Sequence, residues 1–469
     1  MAFVSKKDEA YREYALNASP TKVLLSSCAP LALYQALQSI FKVLDAMMAS
    51  HIGSDAASAV ACLNQITLMI TALGTGLAIG GSIKISEAYG RGDYDLVRKQ
   101  VSTLYTLAVI VGLVIVGVLI PFAVPFLKLL NTDPALIKTG VGYFRVEILT
   151  VVVTFFNTVY LAIERSRGHA KKILVLNLII ILVKLALSAL IVYVLDKGVT
   201  MIAVATLIGQ LGIMGYAFVT MPRDDGAFCF SFRSINLGGK IILPILNLAY
   251  PVSAEKVLFA AGKVTVNSMS GEYGPTTVGA LGISNNIGGL TTAWHGGFTD
   301  GAAPLISQNR GAGKYKRTLQ IYLRLLVIDV IIGIVGILIV SNTLPWLANI
   351  FAQSKENFDP AFRDMIVSIH EWEMLGYITL GVNSATLALL LGYGYTKLTL
   401  LLNVARVFAF RVPVLWFFQN YTNVGVEAVG MTMMISNICV GVSAVAVAIP
   451  VVIKILKKAK AEEDALAQK

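Results

Sequence analysis

The chain has 469 residues, of which 56% are hydrophobic and only 14% charged, with a formal net charge of +11. Its mean hydropathy is +0.73, whereas a soluble protein carries about a quarter charged residues. A soluble globular protein is thereby excluded, and a polytopic α-helical membrane protein is left. In such a protein the distribution of positive charge matters more than its sum.

In chain order, residues 1–22 are polar, with Lys6, Lys7, Asp8, Glu9, Arg12 and Glu13, and lack the apolar core of a cleavable signal. They read as a cytoplasmic leader folded as a surface helix. Six spans are predicted near 23–50, 56–88, 101–128, 138–164, 172–195 and 199–221, forming an N-lobe over 23–221. Residues 222–242 are predicted to be a polar connecting loop. A second set follows near 243–269, 276–305, 319–341, 367–392, 397–419 and 424–456, forming a C-lobe over 243–456 with a cytoplasmic tail at 457–469. The fold class is thus all-α, with twelve transmembrane helices in two six-helix bundles. Cys28, Cys62, Cys229 and Cys439 are too scattered for a disulfide framework or a metal site and read as packing residues.

Basic residues gather in alternate loops: Arg91, Arg98 and Lys99; Arg165, Arg167, Lys171 and Lys172; Arg223, Arg233 and Lys240; Arg310, Lys314, Lys316 and Arg317; and Lys454 to Lys460. The intervening loops are neutral or acidic, which places both termini in the cytoplasm of a plasma (inner) membrane protein. The halves also match each other. A shift of 221 residues carries Pro30 onto Pro251, Asn64 onto Asn285, Gly76 onto Gly297, Gly80 onto Gly301, and Gly90 and Gly92 onto Gly311 and Gly313. A shift of 226 carries Gly168, Lys171 and Asn177 onto Gly394, Lys397 and Asn403. An even-numbered repeat keeps both copies in one orientation, related by an axis along the membrane normal, as in transporters with a cleft between lobes.

Pro30, Gln35, Leu44-Asp45 and Gly53, then Pro251, Asn267 and the stretch from Gly297 to Gly313, then Arg406, Arg411 and Pro413, resemble in order and spacing the multidrug and toxin extrusion (MATE) family. The resemblance spans nearly the whole chain. It implies two six-helix bundles around a central cavity, and a secondary antiporter that exports amphipathic organic compounds by alternating access. Inward H⁺ or Na⁺ would drive it, with no other cofactor. It further implies a monomer whose partners are a small amphipathic organic substrate and the lipid bilayer. The alternative in the same superfamily is a flippase of lipid-linked saccharides or a transporter of anionic metabolites.

Asp45 is a carboxylate inside a span and so a functional candidate; it matches the family's coupling aspartate. Glu255, Asp300 and Thr206 complete the cation-coupling candidates, with Na⁺ near Asp45 or Glu255 as one option. Gln35, Lys42, Asn177, Lys184, Ser188, Lys256, Arg406 and Arg411 are the cavity and charge-pairing candidates. Lys42 stands one helical turn before Asp45 and competes with Na⁺ for its carboxylate. Two readings stay open there: a proton exchanged within the Lys–Asp group, or a permanent salt bridge with coupling elsewhere. His295 reads as a packing histidine or a proton relay. Glu371 and Glu373 read as rim charges, and Glu164 as a solvated one. Gly311 to Lys314 lacks Walker spacing, which argues against nucleotide binding. An enzyme would need a clustered catalytic set, which the sequence does not offer. A channel would need a repeated filter loop. The excess of lysine and arginine among the cavity candidates predicts a substrate that need not be cationic. Neutralising Lys42 and Lys184 together should therefore lower liposome uptake of an anionic test compound, and unchanged uptake would refute that expectation.

Overall fold

The computed structural model describes residues 4–52, 54–129, 134–194, 199–221, 226–352 and 359–467, without side chains at 42–62, 64–65, 129, 134–136, 138–139, 192–193, 199, 275 and 465–467. Among the described residues there is no strand. The helices are α1 (Lys6–Asn17), α2 (Pro20–Ile52), α3 (Ser54–Arg91), α4 (Tyr94–Leu119), α5 (Ala123–Leu129), α6 (Pro134–Ser166), α7 (Ala170–Ala189) and α8 (Val199–Thr220). After the central loop come α9 (Gly239–Ser270), α10 (Pro275–Gly311), α11 (Tyr315–Ala352), α12 (Pro360–Met374), α13 (Tyr377–Tyr393), α14 (Thr396–Ala405), α15 (Val412–Tyr421) and α16 (Glu427–Ala467). Among the described residues, ten segments are long and apolar enough to cross a membrane, and α12 with α13 makes another, bent by 52°. Helix α10 completes the set predicted from sequence. It is 37 residues long, but its many Gly, Ser, Thr and Asn keep its hydropathy low.

Contacts divide the chain into two compact units. The first comprises Met1–Ala18, Ile40–Val257 and Ser307–Ala312; the second comprises Ser19–Ser39, Leu258–Ile306 and Gly313–Lys469. The division does not follow the central loop. The opening part of α2 belongs to the second unit, and the opening part of α9 to the first.

Small residues explain that exchange, because glycine lets helix backbones meet closely. In the first unit Gly76 faces Ser253 so tightly that a Cβ would lie 2.0 Å from its Oγ, and Gly80 rests on the backbone of Ala249. In the second unit Gly297 rests on Ala32 and Gly301 on Cys28. The shift of 221 that carries Gly76 onto Gly297 also carries Ala32 onto Ser253 and Cys28 onto Ala249. The same helix pair is therefore built twice. Within the first unit, Gly90 meets the carbonyl of Gln308 while Gly311 meets that of Glu87, a reciprocal contact between residues that the same shift relates. Arg310 closes it with an ion pair to Glu87 at 2.5 Å. The turns repeat as well: Gly92 and Gly313, and Gly168 and Gly394, all have φ between 76° and 82°, the left-handed conformation that glycine adopts without strain.

Helix α1 is anchored in the first unit rather than lying free. Arg167 donates to both carboxylate oxygens of Asp8 at 3.0 and 3.1 Å. Arg12 donates to the carbonyls of Tyr89 and Gly90 at 3.0 and 2.9 Å. The core of this unit packs Val97, Val101 and Leu104 of α4 against Phe155, Val159 and Ile163 of α6.

A β-branched side chain at Gly76 would force α9 away from α3, and such overpacking costs about 1–3 kcal/mol. Gly76→Val should lower the melting temperature of detergent-purified protein by about 5 °C or more. Gly117→Ala, with nothing within 4 Å of the new methyl, should not. Equal melting of the two variants would contradict the packing.

Candidate functional site

A group of buried polar side chains lies in the second unit, where α12 breaks into α13. His370 is fully buried and Glu373 is 7% exposed; they sit one turn apart on α12. The 52° bend after Met374 returns Tyr377, at the start of α13, to His370. The hydroxyl of Tyr377 lies 2.8 Å from Nε2 of His370, and Oγ of Ser284 on α10 lies 2.8 Å from Nδ1. Ser284 in turn donates to Oε2 of Glu373 at 2.6 Å. The network assigns the tautomer, since Ser284 has one proton and spends it on the carboxylate. Tyr377 O–H donates to Nε2, Nδ1–H donates to Ser284 and Ser284 donates to Glu373, making one directed chain. Gly288 makes room for it: a Cβ there would lie 3.2 Å from the Tyr377 hydroxyl and 3.5 Å from Oε1 of Glu373.

Two guanidinium groups adjoin this chain. Arg406 and Arg411 frame a π-helical segment between α14 and α15. Residues five apart diverge by about 140° in an α-helix, whereas the wider π turn brings them to one side. Both reach Oδ1 of Asn437 on α16: Arg406 from Nη2 at 2.8 Å and Arg411 from Nη2 at 3.2 Å. Arg411 also donates to Oγ of Ser436 at 2.9 Å. Asn437 packs on Gly376, in the break itself, where a Cβ would meet its side chain at 2.6 Å. The charge of Glu373 bears on both arginines. Arg406 also lies 5.6 Å over the ring of Phe259, with Lys263 at 5.4 Å from the same ring.

A second buried pair joins α10 to α11. His295 Nδ1 lies 2.9 Å from Oδ1 of Asp329, with the two residues 3% and 0% exposed. His295 Nε2 and Asp329 Oδ2 have no partner among the described residues. The backbone of His295 is fixed by Ser384, whose Oγ donates to its carbonyl at 3.0 Å. The first unit holds Glu147 on α6, 8% exposed, hydrogen-bonded by Tyr143 and within electrostatic reach of Lys184.

Several sequence expectations need correction. Glu164 is buried rather than solvated, held by His169 at 2.6 Å, Lys172 at 3.2 Å and Arg167 at 3.3 Å. Glu373 is part of the chain above rather than a rim charge, whereas Glu371 is exposed. His295, read as a packing histidine or a proton relay, is buried and hydrogen-bonded to Asp329, which agrees with either reading. Lys42 and Asp45 lie outside the residues whose side chains are described. Asp300 accepts from Gln35 Nε2 at 3.0 Å within the second unit. Glu255 is half-buried and Lys256 exposed. Thr206 and Asn177 donate back along their own helices, to the carbonyls of Ile202 and Ile173, and Ser188 is buried. The carboxylates missed from sequence are Asp329 and Glu147. Each is a lone acid inside an apolar run, the same signal that singled out Asp45.

Comparison with known proteins places the chain among transporters. The MatE family profile matches residues 30–190 and 251–417. A probable multidrug resistance protein YoeA of Bacillus subtilis is 22% identical over 408 residues, covering 85% of this chain and 87% of that protein. The multidrug export protein MepA of Staphylococcus haemolyticus is 22% identical over 300 residues, covering 63% of this chain and 66% of its own. An outward-facing multidrug resistance MATE family transporter of the MOP superfamily superposes with a TM-score of 0.90 at 19% identity, covering 97% of this chain and 99% of that one. So does a MOP superfamily transporter from Pyrococcus furiosus, described as having a binding pocket of reverse polarity, at 0.89 and 19%, covering 96% and 99%.

Removing the shared acceptor would take a hydrogen-bond partner from buried Arg411 and half-buried Arg406. Asn437→Leu should destabilise the protein by about 1–3 kcal/mol, while Asn437→Asp should melt at or above the wild-type temperature. Equal melting of the two variants would show that the arginines do not depend on this residue.

Proposed function

The chain belongs to the MatE family of multidrug and toxin extrusion transporters, and from that premise we propose that it exports amphipathic organic compounds in exchange for inward protons. The multidrug resistance and export proteins among its relatives support the export of such compounds. The alternation of basic and neutral loops supports a plasma-membrane location with both termini in the cytoplasm. A monomer is part of the same reading.

The observation that carries proton coupling is the directed chain from Tyr377 through His370 and Ser284 to Glu373. Na⁺ would need several oxygen ligands. Here the carboxylate already accepts a hydroxyl proton, and the neighbouring groups are an imidazole and two guanidinium ions. Such a site suits a proton better.

The chemistry of the switch follows from charge balance. With Glu373 ionised, its charge offsets the two arginines held by Asn437. With the carboxyl protonated, two like charges face each other across one amide oxygen, which disfavours that packing of the π segment on α16. A proton then shifts the balance between two arrangements of α14 to α16, and a substrate that binds one of them better shifts it back. In the first unit, Asp45 remains the coupling candidate by resemblance, and Glu147, within electrostatic reach of Lys184, is a second candidate from geometry. A second reading concerns substrate charge. Arg406 and Lys263 both lie over Phe259, a setting that suits an anionic or zwitterionic amphiphile.

In liposomes with imposed gradients, a pH gradient should drive efflux of a fluorescent amphiphile and a Na⁺ gradient should not. Glu373→Gln should reduce pH-driven efflux on the order of tenfold or more with its melting temperature retained. Efflux driven by Na⁺ alone, or unaffected by Glu373→Gln, would contradict proton coupling at this cluster. Failure of both gradients would overturn antiport.

A further inference from the structure

The first unit carries a groove of about 740 Å³ that the transport reading leaves unused, bounded by α4, α6, α8 and the central loop. Pockets of about 300–1,000 Å³ accommodate ligands of drug size. Its floor is a run of five rings in contact. Phe218 stacks on Phe156 at 5.0 Å and Phe156 lies 5.2 Å from Tyr105; Tyr105 meets Phe230 edge-on at 6.2 Å, and Phe230 meets Phe232 at 4.8 Å. Phe218 is 55% and Phe232 80% exposed, and Ile110 on the α4 wall is 44% exposed.

The loop that completes the groove is built rather than slack. The backbone N–H of Ser231 donates to Oγ of buried Ser102 at 3.0 Å, and that of Asn236 donates to Oγ1 of buried Thr103 at 3.1 Å. Between these tethers Phe232–Ser234 forms a 3₁₀ turn, which sets Arg233 at the groove. Arg233 is exposed and makes no hydrogen bond or ion pair with another described residue. The depth is that of a membrane interface, because the apolar run of α4 begins at Leu104, just past Arg98 and Lys99. Aromatic rings favour that depth, and a cation there attracts anionic headgroups.

We propose that this groove binds one anionic phospholipid from the leaflet on the side of α1, with an acyl chain along the five rings and the phosphate on Arg233. Arg233, the cation among the described lining residues, complements the phosphate, and the row of rings fits a chain that enters sideways from the bilayer. A neutral or zwitterionic headgroup would lack the net charge that Arg233 selects.

Native mass spectrometry of detergent-purified full-length protein, titrated with phosphatidylglycerol or phosphatidylcholine, tests this. Wild type should take up one phosphatidylglycerol more tightly than any phosphatidylcholine. Arg233→Gln should weaken that event about five- to tenfold. Ile110→Trp, which fills the groove from its lipid-facing wall, should abolish it while wild-type melting is retained. Equal binding of the two lipids, or lipid counts that neither variant changes, would mean a non-specific lipid shell and overturn the proposal. Displacement of phosphatidylglycerol by the fluorescent amphiphile used in the efflux assay, lost in Ile110→Trp, would make the groove a drug site and overturn it too.

Discussion

A charge inside a membrane-spanning helix has to be matched within the protein, because lipid offers it nothing. In this chain Asp329 and Glu373 meet that requirement with partners on a neighbouring helix, whereas Glu147 takes a hydrogen bond from Tyr143 of its own helix. Asp329 of α11 depends on His295 of α10, and Glu373 of α12 depends on Ser284 of α10. Both pairings use α10, the span of lowest hydropathy. Its serines, glycines and asparagines supply the room and the hydrogen bonds that the acids require, at the expense of the apolar surface a lipid-facing span would need.

The repeat supplies the frame for these pairs. Gly76 and Gly80 on α3, and Gly297 and Gly301 on α10, seat the opening turns of α9 and α2 by direct backbone contact. Such contacts tolerate almost no change in side-chain volume, which is why the glycines survive in both copies while the surrounding apolar residues differ. The polar clusters do not repeat in the same way. Residues of α12 to α16 hold a histidine, a carboxylate and two arginines together, while α6 and α7 hold Glu147 near Lys184 and, at the end of α6, Glu164 with Arg167, His169 and Lys172. Duplication therefore fixed the scaffold and left the ionisable chemistry free to differ between the units.

Much of the scaffold was legible in the sequence, for physical reasons. Twenty-residue apolar runs have one stable form in a bilayer, and a shift that aligns glycines and prolines reports a repeated backbone. The candidate site was less legible. Glu373 looked like a rim charge because α12 is polar at its start, and only the bend before Tyr377 turns it inward. Glu164 looked solvated because its partners His169 and Lys172 follow a glycine turn whose direction a sequence does not specify. Arg406 and Arg411 stood out as a pair, but their convergence needs a π turn that spacing alone would have argued against. Asp329 was passed over because its histidine lies 34 residues away on another helix. The exchange of α2 and α9 between the units, likewise, depends on contacts that become visible only when both copies are folded.

The central claim is that the His370–Glu373 chain holds an exchangeable proton. Infrared difference spectroscopy of the purified protein, stepped from mildly acidic to mildly alkaline solution, observes that proton directly. The account predicts a carboxylic-acid or imidazole band in wild type that is lost in Glu373→Gln and in His370→Asn. Difference spectra that are the same in all three proteins would contradict it.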